Sequence, residues 1–363
     1  MTSGGEALDK SRTIKIFLMA MYDILEALRY GIKKHVMHRD ISPRNILVNL
    51  FGVPTEALVE PTFTKTILDN SGQRHPPTAL LCDLDNSGIF EGETDYRSIE
   101  LLKSPTMKGT PMFIARAVEA GRLLGGGHLF SPMPELSNKA IAERYVGCYQ
   151  GEAMRTFRDE EGKCHGGRPN ESRQREAYFS DETTKALFYH QPRHDVESVG
   201  WCIIAFCLRS QPEDRQGVED STEELKRVWL LLSGPEREIV LRMTRQDWER
   251  ALHPSLKFLS VFLVKLCMQM GPEYGLLEPP PAEDHLHEAF QRLLLNQISE
   301  MEKDVDLDTM TFREVIPELQ RAEHRKMDVP FGPSTGQSSD SPSESERRPT
   351  KRSASIQDEP TTS

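Results

Sequence analysis

Long apolar runs, paired cysteines and an excess of basic charge are all missing from this 363-residue chain. Its apolar stretches are broken by charges well short of the roughly 18 residues that a membrane span needs. The start, "MTSGGEALDK", has no basic region ahead of an apolar one, so secretion and membrane spanning are both disfavoured. The six cysteines, Cys82, Cys148, Cys164, Cys202, Cys207 and Cys267, lack the short paired spacings of a zinc site or a dense disulfide framework. A reduced intracellular compartment, cytoplasm or nucleus, is expected. Cys164 beside His165 makes a poor metal pair because adjacent side chains rarely close on one ion, and His285 and His287 diverge if they lie on a helix. The net charge is −11, which argues against a global basic surface for nucleic acid or an acidic lipid leaflet.

What is present is ordinary for a folded protein, 37% hydrophobic and 28% charged, enough for one large core or two modest ones. Phe17, Leu18, Met21, Leu25 and Leu28 recur at helical spacing and predict a core helix from Ile14. It leads into "HVMHRDISPRNILV", a cluster of polar groups set in apolar surroundings. "RNILVNLFGV" and "TALLCDLD" read as strands, with residues 54–77 between them as a loop-like insertion. A second insertion, partly mobile, is expected over 121–184, where glycines and the run "RDEEGKCHGGRPNESRQRE" leave little to bury. "DVESVGWCIIAFCLR" is apolar almost all round and predicts a helix at the centre of the core. Amphipathic helices follow over 222–301, and the last residues are Ser, Pro and charge.

The polar cluster contains His38, Arg39 and Asp40, with Asn45 five positions after the aspartate. This resembles the catalytic loop of protein kinases, H-R-D-x-x-x-x-N. Taken alone, six residues would also suit a surface turn. In a kinase, one carboxylate accepts or orients the proton of the attacking hydroxyl while an amide oxygen nearby holds a metal ion on the nucleotide phosphates. The resemblance continues in order along the chain. Asp83 ends an apolar strand where the family has its Mg²⁺-chelating aspartate, but Leu84 and Asp85 replace the usual Phe and Gly. That departure removes a flexible hinge and adds a negative charge beside the metal site. "GTPMFIARA" stands where the activation segment should end, with Thr110 in the Gly-Thr pair. Ala117 replaces a glutamate that pairs with a late arginine in relatives, so this anchor is lost unless Glu119 substitutes by a register shift. In "DVESVG", Asp195 is implied to hydrogen-bond to the backbone of the catalytic loop. The spelling "HRDIS", "DLD", "GTPMFIA" and "RHDVES" is similar to the fungal-specific protein kinases of the FunK1 type.

Within that resemblance, Ser42 stands two residues after Asp40, where most serine/threonine kinases carry a lysine that neutralises the transferring phosphoryl group. Arg44 is the proposed compensating cation, with a solvated surface arginine as the alternative. Arg39 is implied to meet a phosphate or acid of the activation segment, for which Thr94, Ser98, Ser104, Thr106 and Thr110 offer hydroxyls. No G-x-G-x-x-G and no lysine-bearing strand precede His38.

The expected fold is therefore mainly α, a protein-kinase-like helical C-lobe with a few short β-strands around the catalytic loop and the N-lobe absent. Residues 1–10 are read as a flexible tail, 11–326 as the C-lobe with its insertions, and 327–363 as a disordered tail. The resemblance implies phosphoryl transfer to protein Ser/Thr hydroxyls, with Asp40, Arg44 and Asn45 catalytic, Asn45 and Asp83 holding Mg²⁺ and ATP, and His38, Arg39, Thr110 and Asp195 structural or regulatory. Little turnover is expected of the chain alone. Apolar surface around "NILVNLF" and "LLCDL" should be exposed, or covered by the insertions or a partner. The rival readings are a non-catalytic kinase-like interaction module and an incomplete gene product.

Overall fold

The long helix α1, Ile14–Lys33, organises the molecule, and Thr13 caps it by accepting a hydrogen bond from the Ile16 N–H at 3.1 Å. In this computed structural model the described residues are 5–8, 11, 13–49, 61–89, 110–125, 131–149, 188–213, 222–276, 281–304, 306–307 and 310–314. All of them fall within the unit Met1–Leu319.

Strand β1 is Gly5–Ala7, and after α1 come β2, Val36–Met37, and β3, Ile46–Asn49. Helix α2, Thr64–Leu68, precedes β4, Ala79–Leu81, and β5, Gly88–Ile89. Helices α3, Arg116–Ala120, and α4, Lys139–Cys148, lead to α5, Pro192–Arg209. Then come β6, Ser210–Pro212, α6, Glu223–Ser233, α7, Arg245–Ala251, α8, Ser260–Met270, α9, His285–Met301, and β7, Phe312–Glu314. The described chain is mainly helical, with three small sheets ordered β1-β3-β4, β2-β5 and β6-β7.

Helix α5 is buried from Val196 to Leu208, as an all-apolar helix must be. It packs between α1 and α8, with the Phe17 and Phe206 rings stacked. A Cβ at Gly200 would lie 2.5 Å from Met270 Sδ, so this glycine permits the close approach of α5 to α8.

Two expectations change. Residues 1–10 were expected as a flexible tail, yet β1 pairs antiparallel with β3, Gly5 opposite Asn49 and Ala7 opposite Leu47, and Leu8 is buried. The pairing satisfies an edge of β3 that would otherwise lie open, and Gly5 is needed because a Cβ there would meet Leu47 Cβ at 2.9 Å. Of the apolar surface expected to be exposed or covered, Ile46 and Val48 on β3 are covered. Leu84 and Ile89 remain outside, 55% and 70% exposed. Finally, both presumed insertions contain helices, α2 in the first and α4 in the second. The charged run and the residues from 327 onward lie outside the described residues.

The reason those segments fold lies on the polar side of α1. Asp23 is buried and accepts from the Thr64 N–H at 2.7 Å, the Thr64 hydroxyl at 2.5 Å and the Thr78 N–H at 2.5 Å, tying both ends of the 64–78 segment to mid-helix. Glu26 accepts from the Thr62 N–H, the Tyr149 hydroxyl and Gln291 Nε2. Arg29 donates to Asp284 Oδ2 from Nε at 2.9 Å and to Gln291 Oε1 at 3.2 Å, joining α1 to α9. Buried charges survive only when paired in this way.

Candidate active site

The strand register builds the site. β2 pairs with β5, Val36 opposite Ile89, and β3 pairs with β4, Ile46 opposite Leu81. The loop 38–45 therefore leaves β2 for β3 while residues 82–87 leave β4 for β5. Two short loops between paired strands must run side by side, and the Cys82 N–H donates to the Asn45 carbonyl at 2.9 Å.

Asp195, at the start of α5, clamps the first loop. Its Oδ2 accepts from the His38 N–H at 2.8 Å and its Oδ1 from the Arg39 N–H at 2.9 Å. Burial by itself would raise this carboxyl. His190, with Nε2 3.5 Å from Oδ1, and the hydrogen bond from the His38 backbone N–H outweigh burial and hold it below the usual carboxylate value. Those two amides converge because Arg39 adopts a left-handed backbone, φ 66°, which a non-glycine residue keeps only when its surroundings hold it there.

His38 joins the two loops. Its Nδ1 accepts from the Asp40 N–H at 3.3 Å, so the Nε2 that lies 2.9 Å from the Cys82 carbonyl is the protonated nitrogen of a neutral ring. Arg39 Nε donates to the Asn86 carbonyl at 2.7 Å. Burial lowers the Arg39 pKa, against the opposing pull of Asp195.

Asp40 is half-buried and held on both oxygens. Oδ1 accepts from the Thr110 N–H at 3.0 Å and the Thr110 hydroxyl at 3.2 Å, and Oδ2 from Asn86 Nδ2 at 3.3 Å. Asn45 Nδ2 donates to the Asp40 carbonyl at 2.8 Å, which fixes the amide orientation and leaves Oδ1 without a hydrogen bond among the described residues. Asp83, with φ 64°, opens a 3₁₀ turn, Leu84–Asn86, and its exposed carboxylate also makes no hydrogen bond there. A carboxylate and an amide oxygen are hard ligands that suit Mg²⁺, an ion that keeps water and phosphate oxygens in its shell. Among the described residues no cluster of three or more His, Cys, Asp or Glu could hold a metal by itself. Arg44 is exposed on the Pro43–Asn45 turn and carries no ion pair among the described residues. Ser42 is buried, and its hydroxyl has no hydrogen-bond partner among the described residues.

Beyond Thr110 the chain is anchored twice to the core. Glu197 Oε1 accepts from the Arg116 N–H at 2.9 Å, Arg116 Nε at 2.8 Å and Trp201 Nε1 at 3.2 Å. Glu119 pairs with Arg237, which is 2% exposed, at 2.5 Å; the same guanidinium donates to the Met112 carbonyl and lies over Trp201. Glu119 thus supplies the ion pair that Ala117 could not, two residues later. Sequence reasoning missed Asn86, which sits in no spaced motif; Arg116 and Glu197 lie in stretches that carry the resemblance, but a pairing across 81 residues is not readable from them. Thr94, Ser98, Ser104 and Thr106 lie outside the described residues.

These contacts define a mainly helical protein with a polar loop held by a buried aspartate of the central helix. Residues 1–207, more than half the chain, match the family model described as fungal protein kinase, and the chain belongs to that family. No curated protein matches it. Among the described residues, no helix is long and apolar enough to cross a membrane.

Proposed function

We propose that this chain transfers the terminal phosphoryl group of ATP to serine or threonine hydroxyls of proteins, on a helical C-lobe of protein-kinase type. The observation that carries this reading is the hold on Asp40: a half-buried carboxylate fixed at two points, on the loop that carries Asn45 and against the turn that Asp83 opens, where the Asn45 amide oxygen and the Asp83 carboxylate make no hydrogen bond among the described residues. Asp40 takes the proton of the acceptor hydroxyl as its oxygen bonds to phosphorus and the bond to the departing ADP breaks. Asn45 and Asp83 would hold Mg²⁺, which would supply positive charge to offset that of the phosphates. Arg44, exposed on the same turn, supplies positive charge where Ser42 has none.

The test is transfer of labelled phosphate to the chain itself and to dephosphorylated casein. Activity abolished by Asp40→Asn and by Asp83→Asn is the expected result; activity that survives Asp40→Asn removes the reading. A second reading, a non-catalytic interaction module, is favoured by Leu84 and Ile89, which are exposed beside the site and offer a partner an apolar surface. A flat thermal-shift titration with ATP and Mg²⁺ selects it, since a ligand at 100 times its Kd stabilises a fold by about 2.7 kcal/mol.

A further inference from the structure

Asp40 has two carboxylate oxygens and three donors, unequally shared. Thr110 gives both of its donors to Oδ1, while among the described residues Oδ2 is met by Asn86 Nδ2 alone, at 3.3 Å. Because a carboxylate only accepts, the nitrogen of the Asn86 amide must be the atom that faces it. The main-chain carbonyl of Asn86 meanwhile accepts from Arg39 Nε at 2.7 Å. One residue of the Leu84–Asn86 turn thus touches two consecutive residues of the catalytic loop, Arg39 through its backbone and Asp40 through its side chain.

The two contacts differ in what they do. The carbonyl bond to the buried Arg39 guanidinium is short and charge-assisted, and it is enough to hold the turn on the loop. The Asn86 side chain is half-buried, so water could satisfy its amide and the fold does not need the contact with Asp40. What that contact adds is orientation. Oδ1 bonded to Thr110 is a pivot about which the carboxylate can turn, and a second contact on Oδ2 removes that freedom. At 3.3 Å the second contact is long enough to yield to an incoming hydroxyl, whereas a shorter one would compete with it.

We infer that Asn86 is a positioning residue for phosphoryl transfer, its side-chain amide aiming Asp40 Oδ2 at the acceptor hydroxyl from the turn that carries Asp83. The inference rests on the kinase reading above. It assigns a task to a residue that has no place in the spaced catalytic pattern, and it ties the aim of Asp40 to the position of the Asp83 turn.

The experiment compares the full chain with Asn86→Asp and Asn86→Leu, measuring casein phosphorylation over a range of ATP concentrations together with the thermal midpoint, with Asp40→Asn as background. Asn86→Asp keeps the shape and backbone but sets an anion against Asp40, so a role in filling space leaves it unaffected and a role in donation does not. The expected result is a kcat lower by between about 10-fold and 100-fold, the size of effect that misplacing a reacting group produces. Asn86→Asp should lose more than Asn86→Leu, with KM for ATP within about twofold of wild type, because in this inference Asn86 acts on the aim of Asp40 and not on nucleotide binding. A kcat for Asn86→Asp equal to wild type overturns the inference and leaves the kinase reading intact. So does an equal loss of kcat and thermal midpoint in both variants, which would make Asn86 a residue of the fold. A wild-type chain that transfers no phosphate overturns both.

Discussion

Asp23 should make the stability of this protein run against the usual carboxylate pattern. It is buried in the middle of α1, away from the catalytic loop, and holds the segment from Thr64 to Thr78. Burial is the dominant influence and raises its pKa from the ordinary 3.8 to about 6, although hydrogen bonds from Thr64 and Thr78 pull the other way. The gap corresponds to about 3 kcal/mol at 1.36 kcal/mol per pH unit. A folded-state value above the unfolded one means that the folded chain binds the proton more tightly. The associated stability is then complete below pH 3.8 and is lost as pH rises through 6.

The structure can receive that proton without coming apart. The Thr64 hydroxyl lies 2.5 Å from Asp23 Oδ1 and 3.0 Å from the Met19 carbonyl. With Asp23 charged, the hydroxyl donates to the carboxylate; with Asp23 protonated, the carboxyl donates to the hydroxyl, which turns its own hydrogen to Met19. The perturbation is Asp23→Asn, which cannot titrate and which sets an Nδ2 donor against the Thr78 N–H at a cost of about 1 to 3 kcal/mol. Urea unfolding of both proteins between pH 4 and 7.5 gives the difference curve. Wild type should lose about 2.4 kcal/mol relative to the variant across that range, most of it between pH 4 and 6.5. Parallel curves would show that Asp23 does not titrate abnormally, and the account of its burial would be wrong.

Asp195 should behave in the opposite sense, because its carboxyl is held below the usual value: its contribution is present above pH 3.8 and lost as pH falls further. Asp195→Asn keeps one acceptor for two backbone donors and should cost about 2 to 3 kcal/mol in a denaturant titration, with faster amide exchange at His38 and Arg39. Glu119→Ala leaves the Arg237 guanidinium buried with only carbonyl and ring partners. It should cost about 1 to 2 kcal/mol, less than a fully buried pair because Glu119 is 40% exposed; Arg237→Ala, which also empties a packed site, should cost more. Equal thermal midpoints for wild type and Glu119→Ala would count against the shifted anchor.

Much of the fold was legible because apolar periodicity is a local property. The stripe from Phe17 to Leu28 and the run from Val199 to Leu208 marked α1 and α5, since a side chain on a helix repeats every 3.6 residues whatever lies opposite it. The polar face of α1 was not legible. Asp23, Glu26 and Arg29 are buried because Thr64, Tyr149 and Asp284 reach them from 41, 123 and 255 residues away. The same remoteness hid α2 and α4 inside segments that looked like loops.

Sequence alone determined the family and the candidate chemical groups. The spacing of His38, Arg39, Asp40 and Asn45, followed by Asp83, Thr110 and Asp195, is carried by the order of residue types and needs no coordinates. Tertiary structure alone decided how those groups are held: which donors face Asp40, where Glu119 finds Arg237, and why Arg39 keeps a left-handed backbone. The physical reason is that a hydrogen bond depends on distance and angle, and residues such as Asn86 and Asp40, 46 apart in the chain, acquire both only when β2 and β3 pair with β5 and β4.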